Sequence, residues 1–186
     1  MLPATLPPHL CHTNTLPYPF HSACLDFFTV NGVNYIAIVD RYSGWLSLFN
    51  LAKDDSKHII ICLLRNYFSR WCILVNITMD GASVYVSQEM EDFLSRYGVH
   101  HRVSSSYYPR GNKRSEVAVK SGKRLVMENL GPNGSLDTDK LARAIQTDPL
   151  SGLSPAQVIF GCQLRDHLPL NMKSFSPEHP ISYVYF

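Results

Sequence analysis

The 186-residue chain lacks a long hydrophobic run, since no apolar stretch approaches the roughly 20 residues that cross a bilayer. Its start, Met1-Leu2-Pro3, lacks the basic segment followed by an apolar core that marks a secretion signal. With 45% hydrophobic residues, the chain has material for one compact domain. We therefore expect an intracellular protein, nuclear or cytoplasmic, that is neither secreted nor bound to a membrane.

Cysteine pairs at metal-binding spacing are also absent. The chain has 5 cysteines, and none of them form a C-x-x-C motif. An odd number without close pairs indicates neither a regular disulfide framework nor a zinc knuckle. We expect the thiols to be reduced.

Net charge is low overall but unevenly distributed. The formal net charge is +2, whereas the segment from Arg102 to Arg124 holds seven Lys or Arg and one acid, Glu116, for a local charge of +6. Phosphate contacts by Lys and Arg supply most of the sequence-independent affinity for nucleic acid. A polyanionic partner and a solvated basic helix both fit this pattern.

Proline is frequent at the start of the chain. Residues 1–19 hold five prolines, too many for a helix or a central strand. We expect a Pro-rich linker or tail at 1–19, one domain at 20–170 and a C-terminal tail at 171–186.

Three strands open the predicted domain. The segments Ala23–Val30, Val33–Asp40 and Trp45–Leu51 are rich in β-branched and aromatic residues, and Asn31-Gly32 and Ser43-Gly44 separate them. Asn-Gly between two such runs is a strong hairpin signal. The sequence therefore predicts three antiparallel strands.

Helices and strands then alternate. Apolar residues at helical spacing follow Ser56, and a buried strand is predicted at Ile73–Met79. A helix at Gln88–Tyr97, a strand at His100–Val103 and a long helix at Ser115–Leu130 complete an α/β order.

Three carboxylates fall at the ends of these elements. Asp26 lies on the first predicted strand, Asp80 follows the fourth, and Glu116 lies at the start of the long helix. There are 35 residues between Asp80 and Glu116. Carboxylates brought together can hold two divalent cations for phosphoryl transfer.

Four motifs in order carry a family resemblance. Residues 19–26 (PFHSACLD), 39–45 (VDRYSGW), 97–109 (YGVHHRVSSSYYP) and 152–157 (GLSPAQ) together resemble the integrase catalytic core of retroviruses and of gypsy-like long-terminal-repeat retrotransposons. The resemblance extends from about Pro19 to Leu168. It implies a ribonuclease-H-like fold, in which helices flank a mixed five-stranded sheet.

The resemblance also implies an activity. Integrase cores are polynucleotidyl transferases in which water attacks a DNA end and the freed 3′ hydroxyl then attacks target DNA. By resemblance, Asp26, Asp80 and Glu116 bind Mg²⁺ or Mn²⁺. The partners implied are element-end DNA, target DNA and further copies of the chain, as a homodimer or higher oligomer.

DNA contacts are expected around Glu116. Lys120 and Lys123 follow it at i+4 and i+7, so helical geometry puts all three positions on one face, and we expect both lysines to point toward DNA. The full set of predicted DNA-binding residues is Tyr107, Asn112, Lys113, Arg114, Lys120, Lys123 and Arg124.

Some positions depart from the family pattern. Lys113 replaces a glycine, Gly81-Ala82 replaces an Asn-Gly pair, Cys72 and Leu74 replace a Gly-Pro turn, and residues are missing after Ala144. These changes indicate a decayed or domesticated copy, in which we expect strand transfer to be weak or absent. If Lys113 is strained at a positive φ, Lys113→Gly should restore some activity.

Two other functions remain open at this point. One is a catalytically silent, domesticated module that binds nucleic acid or protein. The other is a ribonuclease-H-type nuclease, which fits less well because such enzymes lack the spacing between Asp80 and Glu116.

Overall fold

A computed structural model of the chain describes residues 16–51, 57–79, 87–103, 113–129, 141 and 153–164. The strands in these ranges are β1 (Ser22–Val30), β2 (Val33–Asp40), β3 (Leu46–Asn50), β4 (Asn76–Met79) and β5 (His100–Val103). The helices are α1 (Lys57–Arg70), α2 (Gln88–Arg96), α3 (Lys113–Asn129) and α4 (Pro155–Phe160).

Several sequence predictions lie outside the described residues. They are those for Asp80, Gly81-Ala82, Tyr107, Asn112, the segment after Ala144, and most of the tails at 1–19 and 171–186. None of the helices among the described residues is long and apolar enough to cross a membrane.

The predicted hairpin joins β1 and β2. Asn31 and Gly32 both have positive φ, 50° and 77°, as a two-residue type I′ turn requires. Val30 pairs with Val33 across this turn. The strand and hairpin predictions for this region are confirmed to within one residue.

The sheet is mixed and has five strands in the order β3-β2-β1-β4-β5. β2 pairs antiparallel with β1 and with β3, whereas β4 pairs parallel with β1 and with β5. In the parallel pair of β1 and β4, the last matched residues are Leu25 and Met79. This register decides which residues of β1 lie beside the carboxyl end of β4.

Apolar side chains cover both faces of the sheet. Ala23 and Leu25 of β1 join one core cluster with Ile60 and Leu64 of α1, and α2 and α4 contribute to the same cluster. Phe28 of β1 belongs to a second cluster, which includes Val119 and Val126 of α3. The sheet therefore lies between two helical layers, with α3 alone in the second layer among the described elements.

Two predicted boundaries are wrong. The fourth strand begins at Asn76 rather than Ile73, because Ile73 is 51% exposed and the Asn76 amide donates to the His21 carbonyl just before β1. The long helix begins at Lys113 rather than Ser115. Since a lysine adopts helical φ without strain, Lys113 does not need the backbone freedom of glycine.

The buried Asp40 carboxylate organises the corner between β2 and β3. Its Oδ1 accepts a hydrogen bond from the Phe20 amide at 2.8 Å. Its Oδ2 accepts from the Ser43 amide at 2.8 Å and from the Ser43 hydroxyl at 2.6 Å. Three donors to one buried carboxylate fix the segment before β1 against the corner after β2. Asp40 therefore structures the end of β2.

The Tyr67 phenol and the Cys72 thiol, which lie near Asp40, remain neutral. Burial is the main cause that raises the pKa of the Tyr67 phenol well above its usual value, and the negative charge of Asp40 raises it further. Burial, and then Asp40, also raise the pKa of the Cys72 thiol. A neutral phenol and thiol beside a fully hydrogen-bonded carboxylate favour a structural role for this cluster.

We expect Asp40→Asn to destabilise the fold, because the carboxamide turns an NH₂ group toward backbone donors. A buried donor left without its acceptor costs about 1–3 kcal/mol in the free energy of unfolding. Urea unfolding measures this value. Asp92→Asn is the control, because that carboxylate is exposed on α2 and accepts a 2.8 Å hydrogen bond from the side chain of Gln88. Equal stability of the two variants would contradict this account of Asp40.

Candidate functional site

Asp26 lies on the face of β1 that α3 covers. Successive residues of a strand point to opposite faces of the sheet, so Asp26 shares its face with Phe28. Leu25 points into the core cluster on the other face. The partner of Asp26 across the antiparallel pair is Ala37. Because Leu25 pairs with Met79 in the parallel ladder, Asp26 is the first residue beyond that pairing, at the carboxyl end of β4.

Helix α3 packs closely on the sheet beside Asp26. Val119 and Val126 are buried in the cluster below the helix. Gly122 lies between them, and a Cβ atom at this position would be 3.2 Å from Cδ2 of Leu46. This is tighter than ordinary van der Waals contact, so a glycine allows the helix to approach β3. Gly122 therefore belongs to the face of α3 that packs on the sheet.

Lys123 connects α3 to Asp26. Its Nζ lies 3.2 Å from Oδ2 of Asp26, and the two side chains are 37% and 27% exposed. The same Nζ lies 5.2 Å from the centre of the Phe28 ring. The ammonium group is therefore held by a carboxylate and by the face of an aromatic ring.

The donor chemistry at Asp26 fits a hard cation. A carboxylate oxygen is a ligand that Mg²⁺ and Mn²⁺ accept, and here Oδ2 already attracts a positive group, the Lys123 ammonium. The described residues contain no group of three or more His, Cys, Asp or Glu side chains that could hold a metal ion. Asp80 is outside those residues, and Glu116 is placed only through its backbone, in the first turn of α3.

Five of the predicted DNA-binding residues belong to α3. Lys120 is exposed. The Arg124 side chain is also exposed and forms an i,i+4 ion pair with Glu128, with Nε 3.3 Å from Oε1. Lys113 and Arg114 are the first two residues of α3.

Sequence reasoning missed the contact between Asp26 and Lys123, because it expected Lys123 to point toward DNA. It also missed Phe28. The available signal was the alternation of a strand, which places Phe28 two residues from Asp26 on the same face. Helical periodicity identified the face of α3 but did not define which sheet residue Lys123 would meet.

Comparison with known families identifies the group to which the chain belongs. The model of the integrase core domain matches residues 17–109, half of the chain. The chain belongs to the integrase core domain family. The matched segment includes Asp26 and the whole of the five-stranded sheet.

Curated relatives of this family are much longer proteins. The chain is 25% identical over 135 residues to the Gag-Pol polyprotein of avian reticuloendotheliosis virus, covering 70% of the chain and 12% of the polyprotein. It is 27% identical over 161 residues to an uncharacterized protein of Caenorhabditis elegans, covering 83% of the chain and 12% of that protein. The chain thus spans about an eighth of the length of these relatives.

Solved structures agree with the fold. The integrase catalytic core domain of HTLV-2, in a dimeric form with magnesium, has a TM-score of 0.61 at 21% identity and covers 76% of this chain and 97% of its own. A chain of the simian T-cell lymphotropic virus intasome bound to the PP2A regulatory subunit B56 gamma has a TM-score of 0.63 at 19% identity, covering 87% of this chain and 62% of its own. The fold is ribonuclease-H-like, as the sequence predicts.

We expect Gly122→Val to destabilise the protein, because the added atoms meet Leu46, which is fully buried. Overpacking of this kind costs about 1–3 kcal/mol in the free energy of unfolding, although valine has a better helix propensity than glycine. Ser121→Val, at a partly exposed position one residue earlier, is the control for urea unfolding. If both variants have the same stability, the close approach at Gly122 is not a packing constraint.

Proposed function

We propose that the chain is the catalytic core of an integrase-type polynucleotidyl transferase that processes the 3′ ends of DNA and joins them to target DNA. Asp26, Asp80 and Glu116 are the proposed catalytic and metal-binding residues. The observation that carries the proposal is the position of Asp26 at the carboxyl end of β4, under α3. Asp80 directly follows β4 in the chain, and Glu116 belongs to the first turn of α3.

The proposed reaction has two displacements at phosphorus. In the first, a water oxygen bonds to a phosphorus atom near the DNA end, and the bond from phosphorus to the 3′ oxygen breaks. In the second, that 3′ hydroxyl attacks a phosphodiester of the target. In each step the nucleophile loses a proton and the departing 3′ oxygen gains one, so no oxidant or energy source is consumed.

Two divalent cations, Mg²⁺ or Mn²⁺, would stabilise charge on the attacking and leaving oxygens when bound. The HTLV-2 core, which has the same fold, was solved with magnesium. In this chain, Asp26 supplies an oxygen ligand from a strand of the central sheet, a more rigid support than a loop. Its location just beyond the end of β4 leaves part of the carboxylate open to substrate, since the side chain is 27% exposed.

DNA is proposed to lie along the outer side of α3. Lys120 and Arg124 are exposed there, and their charges suit contact with phosphates. Lys113, Arg114 and Lys123 extend the same basic segment. Tyr107 and Asn112, in the segment before α3, complete the proposed DNA-binding set. Two DNA ends must be joined to one target in such a reaction, which favours a homodimer or higher oligomer.

The test is Mn²⁺-dependent breakage of supercoiled plasmid DNA together with transfer of a labelled duplex end into the plasmid. Breakage by water requires no knowledge of the element-end sequence. We expect activity that Asp26→Asn reduces by more than about a hundredfold, because loss of even an outer-shell group costs 10–100-fold. Asp92→Asn, prepared in the same way, is the control and should retain activity. Since Lys113 begins a helix, Lys113→Gly should give no increase.

A silent binding module is the second hypothesis, and the departures at Gly81-Ala82 and after Ala144 favour it. It predicts that the wild-type protein retains plasmid DNA on a filter but neither breaks nor joins it. That result would refute the enzymatic proposal. Equal breakage by the wild type and Asp26→Asn would instead indicate a contaminating nuclease and would also refute it.

A further inference from the structure

The Lys123 ammonium lies beside a carboxylate to which the proposed reaction assigns a metal ion. Its Nζ is 3.2 Å from Oδ2 of Asp26. A carboxylate oxygen that binds an ammonium group at this distance cannot accept a divalent cation on the same lone pairs. A positive group this close to Oδ2 also repels an incoming cation. Lys123 and a metal ion therefore compete for Asp26.

The aromatic ring of Phe28 strengthens this arrangement. The Lys123 Nζ lies 5.2 Å from the ring centre, within the range of a cation–π contact. The ring is itself fixed, because it stacks on buried Tyr35 with centroids 5.5 Å apart and planes 18° apart. Phe28 is two residues from Asp26 on the same face of β1. The Phe28 ring and the Asp26 carboxylate thus both contact the Lys123 ammonium group.

The other basic residues of this part of α3 have different surroundings. Lys120 lies about one turn earlier and is exposed. Arg124 forms an ion pair with Glu128 on the helix surface. Lys123, in contrast, forms its ion pair with Asp26. This difference makes Lys120 a matched reference for Lys123.

We propose that Lys123 is an internal competitor for the catalytic metal ion: it occupies Asp26 until a divalent cation displaces it, and the displaced lysine then becomes available to a DNA phosphate. The inference rests on the proposed function, because it concerns the metal site of that reaction. It assigns Lys123 two alternative anionic partners, a carboxylate in the metal-free protein and a phosphate in the loaded one.

Thermodynamic linkage gives the proposal a further consequence. If metal releases Lys123 and the free lysine binds phosphate, metal increases the affinity for DNA. By reciprocity, DNA increases the affinity for metal by the same factor. Lys123 thus disfavours metal binding by protein without DNA. Lys123 acts on metal binding through Asp26 and need not contact the reacting atoms.

The first test measures Mn²⁺ binding without DNA, by electron paramagnetic resonance of the free ion. We expect Lys123→Gln to tighten Mn²⁺ binding by about three- to tenfold, the range that a partly exposed ion pair with a ring contact supports. Lys120→Gln removes the same charge one turn away and should change the affinity by less than about twofold. In the Asp26→Asn background, Lys123→Gln should bring no gain.

Phe28→Leu tests the ring while both charges remain. We expect a smaller tightening in the same direction, with circular dichroism confirming that the variant is folded. An unchanged Mn²⁺ affinity in the folded variant would overturn the part of the proposal that concerns the ring.

The second test observes the lysine itself. The wild-type protein is treated briefly with acetic anhydride, with and without Mn²⁺, and modification of Lys123 and Lys120 is quantified by mass spectrometry. Lys120, in the same molecule, is the internal reference. We expect Mn²⁺ to raise the ratio of Lys123 to Lys120 modification severalfold, because the amine leaves Asp26.

The outcomes separate this inference from the proposed function. Equal Mn²⁺ affinities of the wild type, Lys123→Gln and Lys120→Gln would overturn the proposed competition. The proposed metal site would remain intact in that case. An unchanged modification ratio at saturating Mn²⁺ would also overturn the proposed competition. Absence of Mn²⁺ binding in every variant, even with DNA present, would overturn both this inference and the two-metal mechanism.

Discussion

Parallel backbone pairing between β1 and β4 is the constraint on which the candidate site depends. The ladder ends at Leu25 and Met79, so Asp26 lies at the carboxyl end of a neighbouring strand. A shift of one residue would turn Asp26 to the opposite face, into the apolar layer under α1. The buried residues on both faces of β1 oppose such a shift, because Leu25 and Phe28 would exchange surroundings.

Much of the fold could be predicted from local sequence signals. Asn31-Gly32 specified a two-residue turn through positive φ, and Gly98, with φ 67°, ended the helix before β5. The start of β4 was less predictable, because an apolar residue such as Ile73 satisfies a strand pattern whether or not it has a neighbouring strand. Pairing to His21, a residue 55 positions from Asn76, decided that boundary.

Prediction of the candidate site was limited in the same way. Local patterns could be recognised in the sequence, whereas contacts between distant residues could not. The family resemblance implied that Asp26 and Glu116 belong to one site, and helical periodicity put Lys123 on the same helix face as Glu116. The pairing of Lys123 with Asp26 depends on how far α3 approaches the sheet, which is decided by contacts such as that of Gly122 with Leu46. Long-range packing of this kind has no signature in the spacing of residues along one element. The same limit explains why Phe28 was not foreseen.

The most direct measurement is anomalous diffraction from crystals of the protein containing Mn²⁺. The account predicts an anomalous peak about 2.1 Å from an Asp26 carboxylate oxygen, the distance of a directly bound hard cation, with Lys123 Nζ displaced from that oxygen. A Mn²⁺ ion bound elsewhere, with the contact between Asp26 and Lys123 intact, would contradict it.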